Sequence, residues 1–294
     1  MIARAPPFPP FQDAVRDHYD ARDSEPARRT RPDDPLARVR RYNNYVKAAA
    51  LARACAATGA AAARVLDVGC GRGGDVQKYA RLGVASVDGL DVSPSSILEA
   101  RRRAGDSACR FRVADLRDPM QIRALGASGP YDVVVLFFSL QYLVATRDAA
   151  TRLFCAVARA SSGAARCVVA APRESAVLGV CGPLAPRATG ELARVVPIAS
   201  SAWTDAEPFG RQYDFCLAGA IDRCPEYVVP TAELLQVLGE TGWRVVRRAS
   251  FADLEIADAD LARAMRAPAL RDLDVAERGV VELYDLWELE RVAA

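Results

Sequence analysis

The chain has 294 residues, 51% hydrophobic and 26% charged, which fills a core and excludes a disordered or fibrous protein. A net charge of +2 excludes a general basic coat for nucleic acid, so any polyanion site is a local patch. No run of about 18 apolar residues occurs, and the Pro-rich start Met1–Phe11 lacks an apolar leader stretch, so neither a membrane span nor a signal peptide is expected.

Nearly all basic residues are arginine: Lys47 and Lys78 are the only lysines, and His18 is the only histidine. The eight cysteines contain no C-x-x-C pair. With one histidine to help them, they are expected as buried reduced thiols rather than a zinc site, and no metal is expected.

Residues 1–34 read as a flexible, solvated arm, with Arg28, Arg29 and Arg31 as a basic cluster. Residues 35–294 read as one domain. Helical spacing of Leu36, Val39, Tyr42 and Val46 predicts a helix over Pro35–Ala57, with Tyr42 and Tyr45 in the core. A short buried strand follows at Arg64–Gly69. It enters the glycine-rich turn Cys70–Gly74, and a helix opens near Asp75. Ser86–Asp91 is a second strand, and Pro94–Arg103 is a helix with Ser93 as its N-cap. Strands at Arg110–Ala114, Tyr131–Phe138 and Arg166–Ala170 continue the alternation, with a helix near Asp148–Ala160. Alternation of this period predicts an α/β fold, a mostly parallel sheet with helices on both faces. Glu174–Glu207 is irregular and reads as a cover or insertion. Tyr213–Leu217 is strand-like, Thr231–Thr241 is a helix capped by Thr231, Trp243–Arg248 a strand, Asp258–Arg266 a helix and Val280–Leu286 a last strand.

The chemistry concentrates at Asp67-x-Gly69-x-Gly71-x-Gly73-Gly74. Glycines there allow a tight turn and close approach of backbone to a ligand. Such a turn alone also serves nicotinamide and flavin enzymes. Three acids at three successive strand ends, Asp67, Asp91 and Asp115, shift the reading. Asp91 stands where a carboxylate accepts from ribose hydroxyls, and Asp115 faces a purine. This strand-end pattern resembles the Rossmann-like class I S-adenosylmethionine-dependent methyltransferases.

More specific elements run in order along the chain. His18-Tyr-Asp20, Arg40-Arg-Tyr-Asn-Asn-Tyr-Val-Lys47, Val65-Leu-Asp-Val-Gly-Cys-Gly-Arg-Gly-Gly-Asp75 and Asp91-Val-Ser-Pro94 are four of them. Phe138-Ser-Leu-Gln-Tyr142, Phe209–Phe215 and Pro225-Glu-Tyr-Val-Val229 complete the set. Together they resemble the mRNA cap guanine-N7 methyltransferases, with an N-terminal arm and C-terminal elements covering the cap. The resemblance implies S-adenosylmethionine as cofactor, held by Lys47, Asp67, Gly69, Gly71, Asp91, Asp115 and Tyr142, with Phe137 contributing through its backbone at most. It implies cap contacts from Asn43, Asn44, Arg72, Lys78, Arg103, Gln141, Glu226 and Tyr284. Arg72, Lys78 and Arg103 fall around the 5′–5′ triphosphate, and Gln141, Glu226 and Tyr284 around the guanine. Glu226 and Tyr142 are the substrate-orienting pair.

The reaction so implied is methyl transfer to N7 of the 5′ guanosine of capped mRNA. The guanine nitrogen needs no deprotonation, so a chain with one histidine can run it by orientation alone. Implied partners are 5′-capped RNA and other capping enzymes, a guanylyltransferase and a triphosphatase, with no membrane and no DNA. The implied location is the nucleus, or a cytoplasmic site of viral transcription. Two alternatives stay open: a class I methyltransferase acting on another substrate, and a catalytically silent subunit that binds RNA or a capping partner.

Overall fold

A computed structural model describes residues 11–21, 34–125, 127–180, 192–197, 207–254 and 256–292. The arginine cluster at 28, 29 and 31 and Cys181 lie outside them.

Four of the five residues of β1 (Arg64–Val68) are buried, so the strand needs partners on both edges and cover on both faces. It pairs in parallel with β2 (Ser86–Asp91) and β4 (Tyr131–Phe137). β3 (Cys109–Val113) joins β2 and β5 (Ser161–Pro172) joins β4, again in parallel. β10 (Tyr284–Arg291) is antiparallel to both its neighbours, β5 and β9 (Trp243–Ser250). The resulting order is β3-β2-β1-β4-β5-β10-β9. The chain reverses direction across the sheet on either side of β1, and a ligand crevice opens at such a switch point, beyond the strand's carboxyl end.

Both sheet faces are covered. In β4, Val133 and Val135 join the cluster buried under α2 (Ala37–Ala57) and α10 (Val275–Glu282). Val134 and Leu136 join the opposite cluster, under α5 (Pro119–Leu125), α6 (Arg147–Arg159) and α8 (Thr231–Glu240). Helix α3 (Val76–Leu82) follows the glycine turn, and α4 (Pro94–Ala104) packs on β2 and β3. Ser93 caps α4, its hydroxyl accepting from Ser96 N at 3.0 Å, as expected.

A second, antiparallel sheet of β6 (Ala193–Pro197), β7 (Gln212–Leu217) and β8 (Ile221–Tyr227) stands beside the main one. Its strand β8 contacts the turn at Leu140–Tyr142 that follows β4.

Several expectations need correction. Residues Phe11–Ala21, expected within a solvated arm, form helix α1, which packs on β8 and α4. Its Val15 is buried against Tyr142 and Cys224, contacts too distant in sequence for composition to suggest. The expected last strand at Val280–Leu286 begins as helix α10, and β10 starts only at Tyr284. A capping box overrides the β-branched pair Val280–Val281. Asp274 Oδ1 accepts from Glu277 N at 2.8 Å, and Glu277 Oε2 accepts from Asp274 N at 2.9 Å. Thr231 is not the cap of α8: its N–H donates at 2.9 Å to Glu174 Oε2 of α7 (Glu174–Val180). Part of the expected irregular cover is thus the helix α7 and the strand β6. The remaining helix, α9 (Ala259–Met265), is capped by Asp258.

Candidate active site

The turn after β1 bends through left-handed backbone at Gly69 (φ 75°), Gly71 (φ 50°) and Gly73 (φ 68°). At Gly69 a side chain is also barred by packing, because an added Cβ would overlap the Ser139 side chain. Ser139 is fixed there by donating to Val68 O at 2.6 Å. Backbone N–H groups of Gly69 and Cys70 donate to Leu90 O at 2.7 and 3.0 Å, which ties the turn to the end of β2. A Cβ on Gly73 would lie 3.0 Å from Ala100 Cα, so the turn also rests on α4.

Above this turn lies a cavity of about 290 Å³. Of the residues that the resemblance places at the cofactor, Gly69, Gly71, Asp91, Asp115, Lys47, Phe137 and Tyr142 line it. Asp91 Oδ2 accepts from Gly71 N at 2.8 Å and its Oδ1 from Ser93 N at 3.0 Å. The Val92 N–H is a third backbone donor to this carboxylate, so of its four lone pairs one remains for a ligand. Burial raises its pKa despite those donors. Asp115 is burdened by partial burial, but the fork of Arg117 outweighs it and lowers its pKa. Arg117 Nε and Nη2 reach its two oxygens at 2.8 and 2.9 Å.

Asp67 is the exception among the expected cofactor residues. It is 2% exposed and does not line the cavity. Its carboxyl lies beneath the turn and accepts from Tyr79 Oη at 2.8 Å. Burial, with Asp75 nearby, pushes its pKa up. This acid braces the turn from below, because its side chain points to the α3 face of β1.

The two lysines converge on one carboxylate. Lys47 Nζ and Lys78 Nζ lie 2.9 and 2.6 Å from Asp75 Oδ1. Burial would raise the pKa of Asp75, but the two ammoniums hold it low. Burial and the neighbouring Lys47 lower that of Lys78 to about 8. Lys78 is only 6% exposed and donates to Asn44 Oδ1 at 2.9 Å. Its expected place beside a triphosphate is therefore corrected: its ammonium is engaged inside the fold and positions Asn44. Lys47 also sits 5.1 Å from the Phe137 ring centroid.

Beside the cavity, a buried polar cluster is built around Glu226. This carboxylate is 1% exposed. Tyr142 Oη donates to its Oε1 at 2.7 Å and Tyr213 Oη to its Oε2 at 2.6 Å. Gln141 Nε2 approaches Oε1 at 3.4 Å and donates to Phe138 O at 2.9 Å. Burial raises the pKa of Glu226 to about 7, against the pull of the three donors. Gln141 Oε1 and Asn43 Oδ1 are buried without a hydrogen-bond partner. Tyr284, the first residue of β10, packs edge-on against Phe138 at 4.8 Å, near enough to Glu226 that the carboxylate adds to burial in raising its pKa.

Arg72 lies in the glycine turn. Arg103 lies near the end of α4, one turn beyond Ala100, with its Nε 2.6 Å from Glu99. Tyr42 and Tyr45 are buried, as expected. Tyr42 Oη donates to Phe251 O and Leu254 O, and Tyr45 Oη accepts from Asp258 N. The sequence reading missed Asp75, Ser139, Arg117, Val15 and Tyr19. Asp75 had a signal, since it precedes Lys78 by one helical turn; the others meet the cavity through tertiary packing.

Comparison with known proteins decides the family. The family model described as "mRNA (guanine-N(7))-methyltransferase domain" matches residues 9–268. The chain belongs to that family. Curated relatives named mRNA cap guanine-N(7) methyltransferase from Candida glabrata and Saccharomyces cerevisiae are each 27% identical over 255 residues. Those alignments cover 81% of this chain, which spans 60% and 58% of the two relatives' lengths. A rice relative of that name, numbered 1, is 26% identical over 77% of the chain. Among solved structures, the CcbJ methyltransferase of Streptomyces caelestis matches with a TM-score of 0.55 at 16% identity, covering 96% of this chain and 98% of that one. Magnesium protoporphyrin IX methyltransferase from Synechocystis matches with 0.54 at 16% identity, over 96% and 100%. These likenesses establish the Rossmann-like fold of class I methyltransferases for this family member. No helix among the described residues is long and apolar enough to cross a membrane.

Proposed function

We propose that this chain transfers a methyl group from S-adenosylmethionine to N7 of the guanosine cap of mRNA. The observation that carries the reading is the shared wall at Tyr142. It lines the cavity over the glycine turn, and its hydroxyl bonds to the buried Glu226 carboxylate, which is not part of that lining.

The residues present fit the cofactor. Turn glycines leave room for it, Asp91 keeps a lone pair for a ribose hydroxyl, and Asp115 stands at the next strand end for the purine. Lys47 and Asp75 close the far side of the cavity. When bound, S-adenosylmethionine supplies an activated methyl on a sulfonium. The protein's own task is then placement. Glu226, ionised, accepts from the guanine N1–H and exocyclic amine, an edge adenine does not offer. Gln141 Oε1 and Asn43 Oδ1 supply further acceptors in the same region. Arg72 and Arg103 answer the triphosphate charge. Lys78 acts one step back, by holding Asn44. Since no proton leaves the attacking nitrogen, no side chain needs to serve as general base, and orientation carries the rate.

The substrate is then 5′-capped RNA. A triphosphatase and a guanylyltransferase that make the capped end are the partners this substrate implies. The fungal and plant relatives support the nucleus as its place of action. Calorimetric titration tests the reading: the protein is expected to bind S-adenosylhomocysteine and GpppA, and to reject ApppA. Equal affinity for GpppA and ApppA would overturn it.

A further inference from the structure

The motif His18-Tyr-Asp20 is not used by the site as described so far. It lies on α1, and two adjacent residues of that helix reach different groups, Tyr19 the Tyr142–Glu226 pair and Asp20 the start of α4. Tyr19 Oη lies 3.0 Å from Tyr142 Oη. Because the Tyr142 proton is directed to Glu226, Tyr19 is the donor in this pair. The relay Tyr19–Tyr142–Glu226 thus ends on the carboxylate proposed to hold the guanine. Asp20 reaches the other way. Its Oδ1 accepts from Ser93 Oγ at 2.6 Å, Ser95 Oγ at 2.7 Å and Ser95 N at 3.4 Å. Ser93 in turn holds Asp91 through its backbone N–H. Asp20 also faces the N-terminus of α4, where a negative charge is favoured. Val15 and Tyr19 line the cavity between these two anchor points.

We propose that Tyr19 and Asp20 are positioning residues that strap α1 between the cofactor cavity and the Glu226 cluster, so that a ligand bound at one pre-orders the other. Whatever fixes Asp91 and Ser93 fixes Asp20, hence α1, hence the Tyr19 hydroxyl that orients Tyr142 and Glu226. Neither residue acts on the reacting atoms. Their effect is a coupling free energy between two ligands, reciprocal by necessity. All three donors to Asp20 converge on one oxygen, so the strap needs an acceptor there rather than a charge.

The inference rests on the function proposed above. Its test is calorimetric titration of GpppA into the full chain, with and without saturating S-adenosylhomocysteine. In the unaltered protein the second ligand is expected to tighten GpppA binding by about fivefold or more, within the usual range of such couplings. Asp20→Ala and Tyr19→Phe should bring that ratio close to one, while Asp20→Asn, which keeps the acceptor oxygen, should retain it. Tyr19→Phe removes one oxygen and leaves the ring, so it carries the test by itself should Asp20→Ala fail to fold. A ratio near one in the unaltered protein, or an unchanged ratio in Tyr19→Phe, overturns the strap and leaves the function standing. Failure to bind GpppA under either condition overturns both.

Discussion

Tyr142 and Glu226 meet at 2.7 Å at the boundary of the cavity over the glycine turn, the tyrosine lining that cavity and donating to a carboxylate that does not line it. The tyrosine comes from the turn after β4 and the glutamate from the antiparallel sheet. The junction exists only because β8 packs against that turn.

The cofactor side of the boundary depends on Asp91. Removing its carboxylate in Asp91→Ala leaves the N–H groups of Gly71 and Ser93 without their acceptors and removes the candidate ribose contact. Hydrogen bonds to a charged group contribute about 1.5–3 kcal/mol. Affinity for S-adenosylhomocysteine should fall by about ten- to a hundredfold, read by calorimetry, and an unchanged affinity would remove the ribose role.

Two glycines of the turn should respond differently to the same substitution. Gly69→Ala combines a left-handed φ with overlap on Ser139 and should cost about 2–4 kcal/mol in urea denaturation. Gly71→Ala has open space around its Cβ and should cost only the conformational part, about 1–2 kcal/mol. Equal losses would contradict the close approach at Gly69.

Glu226 should make stability depend on pH. Its folded pKa of about 7 exceeds the usual carboxylate value, so the folded state keeps a proton that the unfolded state releases. The associated stability is complete below about pH 4.3 and is lost as pH rises through about 7. The slope follows from burial, and it sums to about 3 kcal/mol over that window. Glu226→Gln, neutral throughout, should lack this loss. Denaturation curves for both proteins at pH 5 and pH 7.5 check it; parallel losses would assign the slope elsewhere. Over the same range GpppA affinity should rise with pH in the unaltered protein, as the carboxylate becomes an acceptor on both oxygens.

Asp75 holds two buried ammoniums together. Asp75→Asn leaves Lys47 and Lys78 to repel each other with Asp67, which makes no ion pair to either, as the nearby acid, and breaking a buried pair in this way costs about 3–5 kcal/mol. A large drop in Tm is expected. A drop no larger than that of an exposed pair such as Arg263–Asp260 would refute the shared anchor.

Much of this arrangement was legible in the sequence. The strand runs of the parallel sheet and the glycine turn are local patterns, since both-face burial needs continuous apolar residues and left-handed backbone needs glycine. The positions of Asp91 and Asp115 followed from their place at strand ends. Asp67 shares the sheet face of Asp91, yet it sits one residue before the end of β1 and its carboxyl is taken up by Tyr79 of α3, away from the cavity lining. The docking of α1 was not legible, because its anchors, Tyr142, Ser93 and Ser95, are remote in sequence. Lys78 was read by its charge, whereas the fold uses that charge internally on Asp75. The Val280–Val281 pair suggested a strand, and a capping box six residues earlier decided for a helix.

The central claim is a guanine-specific methyl transfer, and one assay tests it most directly. The protein is incubated with methyl-labelled S-adenosylmethionine and RNA ending in GpppA, ApppA or N7-methylated GpppA. Label is predicted on the GpppA RNA alone, released by nuclease digestion as N7-methylguanosine in the cap. Label on the ApppA or premethylated RNA, or on none of the three, would contradict it.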